Sequence, residues 1–402
     1  MREGITVGYG GVHQAFQLAL AAEEMGCLDA FLCSFYSEGC RWGKLFDLLT
    51  RGRLRSRRVE GLGGAEIVEF PWPYLRKLWD DYLDPKLRGE WLGASDAFDR
   101  WMAGRFSGNP SAVFVGSETC DLHTLRAAKN AGAVTLHDCP QVHPAALKEW
   151  MMRAADACGL TYHHGMSGER SAMDMRKLQE YEIADWLLVY SDFHRETFVS
   201  AGHDGGRIFQ CPLWVDTDFW SVEGTRTEVA EDGRLRVLFA GSIDLRKGIP
   251  FLLRAYDVCE KAISLTLVGP HDEELRPLLH RYEGRVRFTG RVSKPELKRL
   301  YQSHDVFVLP SVVDSFGFVA LEAMSCGLPA IATHNCGVPV LDDWRVPAMD
   351  ADALAAALLR LADDRELLAE QKAMSRGHAQ LFTPMRYREK IRDLYRAVMD
   401  GC

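Results

Sequence analysis

The residues best suited to chemistry lie in Val306–Pro329, VFVLPSVVDSFGFVALEAMSCGLP, where Glu322 follows Asp314 by eight positions. An apolar run ends at Pro310. A short loop carries Asp314, Phe316 and Gly317, and helical spacing starts at Phe318. Amides near Phe316–Val319 are expected to be free at that helix start, where they and the helix dipole favour an anion such as a diphosphate. Glu322, about one turn into the helix, suits ribose hydroxyls, and Asp314 suits sugar hydroxyls. A plain N-cap acid and a solvated helix glutamate fit the same spacing. Upstream, FAGSIDLRKGIPFLLRAY (Phe239–Tyr256) sets Gly241, Ser242, Arg246 and Lys247 between an apolar run and a helix. Two cations there can neutralise a departing diphosphate, Lys as a point charge and Arg as a planar fork. An ordinary exposed loop with two surface charges is the simpler alternative.

Other candidates sit at similar junctions. VRFTGRVSKPELKRLY (Val286–Tyr301) places Arg291 and Val292 after a run ending at Gly290, and VTLHDCP (Val134–Pro140) ends a run in His137. Gly10 and Gly11 follow the first apolar run, without the spacing of a dinucleotide fingerprint. Asp216-Thr217-Asp218 forms a DxD pattern. Its setting, CPLWVDTDFW, suggests turn chemistry near a hinge, so no metal site is expected.

These junctions imply the elements that hold them. Apolar runs near Ile5–Gly8, Ala30–Cys33, Ala112–Val115, Val134–His137 and Trp186–Tyr190 alternate with helical patterns such as Val12–Met25 and Leu122–Ala131. The pattern resumes with strands at Arg236–Ala240, Ser264–Val268, Val286–Thr289, Val306–Leu309 and Ala330–Thr333. Helices are expected at Pro250–Lys261, Pro295–Gln302, Phe318–Cys326 and Ala351–Leu361. Strand–helix alternation predicts α/β architecture: two Rossmann-like, doubly wound parallel sheets facing a cleft. The expected domains are 1–220 and 235–385. A polar linker (221–234) joins them, and a terminal helix (386–402) can cap either domain, the first included. Ligands of such sheets bind beyond the carboxyl ends of the strands, where the candidates lie.

The run from Asp314 through Glu322 to SCGLP resembles the signature of family-4 glycosyltransferases with the GT-B fold. That family carries an acidic residue, seven residues, then Glu; the first position is usually Glu, and here it is Asp314. Lys247-Gly248 also match, whereas Ser242 stands where the family has Arg, leaving Arg246 as the substitute. The resemblance implies backbone readout of the donor base at Arg291 and Val292. It further implies that His137 faces the donor sugar and that Gly10-Gly11 approach its phosphates. Beyond Gly337, the run GVPVLDDWRVPAMDADAL lacks the family's Glu and Gly. The implied activity is retaining, metal-independent sugar transfer from a nucleotide-diphosphate donor to a hydroxyl on a glycan or lipid-linked acceptor, without a cofactor. Lys247, Arg246, Asp314 and His137 would serve catalysis. A nucleotide-sugar epimerase and a non-catalytic sugar-nucleotide-binding subunit are the alternatives.

Composition narrows the partners. A net charge of −8 argues against wholesale nucleic-acid binding. The start, MREGITVGYGG, has no apolar signal region, and the eleven cysteines form no CxxC pair, so a reducing cytoplasm is expected. Within this acidic chain, Arg41–Arg58 (RWGKLFDLLTRGRLRSRR) is strongly basic and amphipathic, and Pro71–Trp79 (PWPYLRKLW) is aromatic-rich. One reading lays both on an anionic membrane at its inner face. The other buries the helix and leaves a solvated basic loop.

Overall fold

The computed structural model describes residues 2–11, 14–35, 61–62, 66–83, 91–160, 162, 169–222 and 232–400. The basic stretch Arg41–Arg58 lies outside them. The described chain forms two sheets whose strand pairs are all parallel. The first contains β1 (Arg2–Tyr9), β2 (Leu28–Cys33), β3 (Ile67–Glu69), β4 (Ser111–Ser117), β5 (Val134–Asp138), β6 (Trp186–Val189) and β7 (Ile208–Gln210), in the order 3-2-1-4-5-6-7. The second contains β8 (Leu235–Ala240), β9 (Ile263–Val268), β10 (Arg287–Gly290), β11 (Val306–Leu309), β12 (Ala330–Thr333) and β13 (Arg345–Val346), in the order 10-9-8-11-12-13. Central strands such as β11 and β12 are buried at every residue, as helices on both faces require.

Each sheet reverses its winding direction once, between β1 and β4 and between β8 and β11. Connections on either side of such a point diverge and leave a crevice at the carboxyl ends of the strands. Gly10-Gly11 follow β1, the Arg246-Lys247 loop follows β8, and the Asp314 loop follows β11. The topology therefore directs the candidate loops of both domains to their crevices.

The domains are packed together. The helix Pro144–Cys158 of the first domain sets Leu147, Met151 and Ala154 against Leu245, Phe251, Val312 and Val313 of the second. At the opposite end, two chain segments cross side by side. The Val215 amide donates to the Phe382 carbonyl (2.9 Å), and Trp214 lies against Tyr387, with ring centroids 4.4 Å apart. Beyond that crossing, the helix Pro384–Asp400 returns to the first domain. Arg388 pairs with Glu24 at 2.7 Å, Arg392 pairs with the same carboxylate, and the Tyr395 hydroxyl donates to the Leu18 carbonyl.

Candidate active site

The loop after β8 is shaped by its own backbone. The Asp244 carboxylate accepts the Lys247 amide at 2.7 Å, which curls the loop and turns Arg246 and Lys247 upward. Gly248 then starts the helix Ile249–Cys259 in the left-handed region (φ 72°), where a Cβ would collide with the Pro310 carbonyl oxygen. The Val312 amide donates to the Arg246 carbonyl at 2.8 Å, so the β8 and β11 loops are strapped together.

Asp314 is held still more tightly. Its amide donates to the Asn335 carbonyl (2.9 Å), its carbonyl accepts from the Gly337 amide (3.2 Å), and Asn335 Nδ2 secures the Val312 carbonyl (2.9 Å). Its carboxylate pairs with Lys247 Nζ, while Arg246 Nη1 lies 3.9 Å away. Asp314 is only 9% exposed, and such burial alone would raise its pKa. The charges of Lys247 and Arg246 outweigh that and hold it below the usual carboxylate range. The fold thus brings together Arg246, Lys247 and Asp314. At the helix start the Phe316 amide lies toward the Asp314 carboxylate and helps to hold its pKa down. The Ala320 amide likewise turns back to the Gly317 carbonyl (3.1 Å). The helix Phe318–Ser325 has Gly317 at its N-cap and no side-chain cap.

Glu322 lies away from this trio. Burial pushes its carboxyl up to about 7, against the opposing pull of Lys294 and of the Tyr301 hydroxyl 3.4 Å away. Lys294 opens the helix Lys294–Ser303 directly after the loop of exposed Arg291 and half-buried Val292, and Ser293 and Glu296 form its capping box. The expected base-contacting loop therefore borders Glu322. Gly241 leads into this face at φ 151°, and Ser242 is exposed beside it.

The facing wall comes from the first domain. Ser191 Oγ donates to the Ser315 carbonyl (3.1 Å) and Ser315 Oγ to the Pro140 carbonyl (2.8 Å). Between these loops lies a cavity of about 340 Å³ bordered by Gln141, Leu147, Arg246 and Asp314. Sequence reasoning missed Ser191 and His194. His194 is fully buried, which holds its ring near pKa 4 and neutral. Its Nδ1 accepts the Tyr190 amide, so Nε2 donates to the Gln141 carbonyl at 2.8 Å and fixes the cavity wall. The visible signal was a serine N-cap followed three residues later by a histidine, common in any helix.

One first-domain candidate is placed differently from expectation. His137 does not face the cleft: it is 0% exposed, with Nδ1 2.8 Å from Asp121 Oδ2 and Nε2 3.9 Å from Glu180 Oε2. Gly10 and Gly11 follow β1 as expected, beside aromatic side chains. A Cβ on Gly10 would strike the Tyr74 hydroxyl, and one on Gly11 would press on the Tyr9 ring. Asp216 Oδ1 accepts the amides of Asp218 (3.2 Å) and Phe219 (3.0 Å), which is turn chemistry. Among the described residues, the cluster able to offer a metal three ligands is Asp121, His137 and Glu180.

This arrangement defines the GT-B class of fold, with an anion-seeking loop pair in the second domain. Comparison with known proteins agrees. Residues 234–364 match the family model described as "Glycosyl transferases group 1", so the likeness to that family lies in the second domain. The chain is 28% identical over 278 residues to the O-antigen chain mannosyltransferase B of Escherichia coli, covering 63% of this chain and 65% of that protein. It is 32% identical over 180 residues to D-inositol 3-phosphate glycosyltransferase of Saccharomonospora viridis, covering 42% of each. The chain thus spans less than two thirds of the length of these curated relatives. Among solved structures, sucrose-phosphate synthase of Thermosynechococcus elongatus superposes with a TM-score of 0.66 at 18% identity over the whole of both chains. WaaG, a glycosyltransferase involved in lipopolysaccharide biosynthesis, gives 0.59 at 14% identity over 97% of this chain and 99% of its own.

Proposed function

We propose that this protein is a retaining, metal-independent glycosyltransferase that moves a sugar from a nucleotide-diphosphate donor to an acceptor hydroxyl. The observation that carries this reading is the Arg246–Lys247–Asp314 trio at the crevice of the matched domain. One carboxylate faces two cations there, so positive charge remains for a diphosphate. As the sugar–phosphate bond breaks, Lys247 and Arg246 stabilise the charge growing on the leaving oxygens. The acceptor hydroxyl attacks the same face of the sugar, and the departing phosphate takes its proton. Asp314 keeps Lys247 in place and offers an acceptor to sugar hydroxyls. Glu322 serves the ribose, and Arg291 and Val292 read the base through their backbone. The side-by-side crossings at Val215 and Phe382 allow the domains to close and exclude water.

The relatives named as an O-antigen chain mannosyltransferase and a D-inositol 3-phosphate glycosyltransferase support sugar transfer, and the acceptor in this reading is a glycan or lipid-linked hydroxyl. We place acceptor recognition on the first domain. There the helix Trp72–Leu83 exposes Trp72 (60%), Leu78 (54%) and Leu83 (64%), which suits contact with an anionic membrane surface. No described helix is long and apolar enough to cross a membrane. The deciding experiment screens uridine, guanosine and adenosine diphosphate sugars with and without membrane-derived acceptor, in excess EDTA. Acceptor-dependent release of nucleoside diphosphate, undiminished by EDTA, is expected. Conversion of the donor sugar without acceptor would make the protein an epimerase. Nucleotide binding without turnover would make it a non-catalytic subunit.

A further inference from the structure

The first domain buries more negative charge than it pairs. Asp99, Glu118, Asp121, Asp138 and Glu180 are all at most 5% exposed. The buried cations beside them are Arg176, paired with Asp99 and Glu180, and Lys177, paired with Glu118 at 3.1 Å. Asp121 is left with His137. Within this group, Asp121, His137 and Glu180 set three ligand atoms within 4.8 Å of one another, all fully buried. Two buried atoms here have no hydrogen-bond partner: Asp121 Oδ1 and His137 Nε2. Leaving such atoms unpaired away from water is costly.

The geometry points to a cation. His137 Nδ1 lies 2.8 Å from Asp121 Oδ2, so an Nδ1–H donor leaves the Nε2 lone pair outward. Nε2 and Glu180 Oε2 are 3.9 Å apart, too far for a hydrogen bond. That gap suits two atoms sharing one ion at ~2.1 Å from each. The Thr119 amide fixes Glu180 Oε2 at 2.7 Å and Arg176 fixes Oε1 at 3.0 Å, while the carboxylate keeps lone pairs to spare. A carboxylate orienting a ligand histidine is the usual support for a metal. We propose that His137 Nε2 and Glu180 Oε2 bind one divalent cation, with Asp121 orienting the ring through Nδ1 and Zn²⁺ or Mn²⁺ suited to the mixed imidazole and carboxylate donors. The ion ties the end of β5 to the helices Leu122–Asn130 and Glu169–Ile183. It thereby stiffens the strand that leads into Pro140 and Gln141 at the cleft. It takes no part in sugar transfer and does not rest on that reading.

The test uses the full chain. Metal content is measured by plasma mass spectrometry after unfolding in chelator and refolding with Zn²⁺. Refolding with Co²⁺ gives a visible spectrum as an independent signature. Stoichiometric Zn²⁺, a Co²⁺ absorption band and a higher Tm with metal are expected. Glu180→Gln and His137→Gln should each weaken Zn²⁺ retention at least ~10-fold, whereas Asp305→Asn in the second domain should not. Wild-type protein that refolds to the same Tm without metal and retains none would overturn the proposal; a proton shared by Asp121 and Glu180 would then neutralise the site. Equal retention by wild type and both folded variants would overturn it too. The wild-type arms decide the matter even where a variant fails to fold.

Discussion

The two domains balance buried charge in opposite ways. In the first, five buried carboxylates gather around Arg176 and Lys177, and the site they enclose is sealed. In the second, two buried carboxylates each meet two cations. Asp305 pairs with Arg236 and Lys372 at 2.9 Å each, and Asp314 with Lys247 and Arg246. A surplus of sealed negative charge asks for protons or a metal ion. A surplus of positive charge on loops at a crevice asks for an anion. The sheet design is the same in both domains, so function follows from which charge is left over and whether a ligand can reach it.

The largest effect should come from removing the cation that offsets most of the first-domain surplus. Arg176 reaches Asp96, Asp99 and Glu180. Burial would raise the Asp96 pKa, but hydrogen bonds from Arg100, Arg176 and His123 hold it well below the carboxylate range. Arg176→Ala strands these carboxylates and should cost ~3–5 kcal/mol of stability, the usual result of breaking a buried ion pair from one side. Urea unfolding checks this. A loss below ~1 kcal/mol would mean the carboxylates are already protonated, and the contrast between domains would weaken.

Next comes the second-domain surplus. Lys247→Ala should lower kcat by ~10²-fold or more with a smaller change in KM, because the charge it stabilises grows in the transition state. Asp314→Asn releases Lys247 from its partner; it should bind nucleoside diphosphate more tightly than wild type yet turn over more slowly. Steady-state kinetics alongside calorimetry separate these outcomes. Unchanged kinetics in both variants would remove the trio from the reaction.

Much of this was legible in the residues. Val306–Leu309 is apolar throughout and Ala330–Thr333 is apolar up to its closing threonine, as buried parallel strands favour, and both form as expected. Edge strands β3, β7 and β13 span only two or three residues, too few for periodicity to show. Loop position revealed Lys247 and Asp314, because motif spacing fixes where a loop leaves its sheet. It did not reveal that they pair, since that requires the strap between Val312 and Arg246. His137 was misplaced for a related reason. A strand end locates a residue along the crevice, but whether a ring faces solvent depends on Asp121 and Glu180, which arrive from distant segments.

The smallest expected effect concerns Glu322, whose charge state changes near neutrality. Burial raises its carboxyl to about 7. A raised folded pKa means the protonated form suits the fold. The associated stability is therefore complete below the unfolded value of about 4.5 and is lost as pH rises through about 7. Ribose binding should follow the opposite course, because an ionised carboxylate accepts hydroxyl hydrogen bonds more strongly than a neutral acid. Affinity for uridine or guanosine diphosphate should therefore rise ~5-fold across neutrality, about 1 kcal/mol, while the unliganded protein becomes less stable. The nucleotide's own terminal phosphate titrates near ~6, so Glu322→Gln supplies the correction. That variant keeps the side-chain shape, leaves the phosphate titration in place and should flatten the remaining dependence. Calorimetry and thermal unfolding over the same pH series read both slopes. A Gln variant that keeps the full wild-type pH dependence would place Glu322 outside the nucleotide contact and leave the helix Phe318–Ser325 to act through Asp314 and its loop alone.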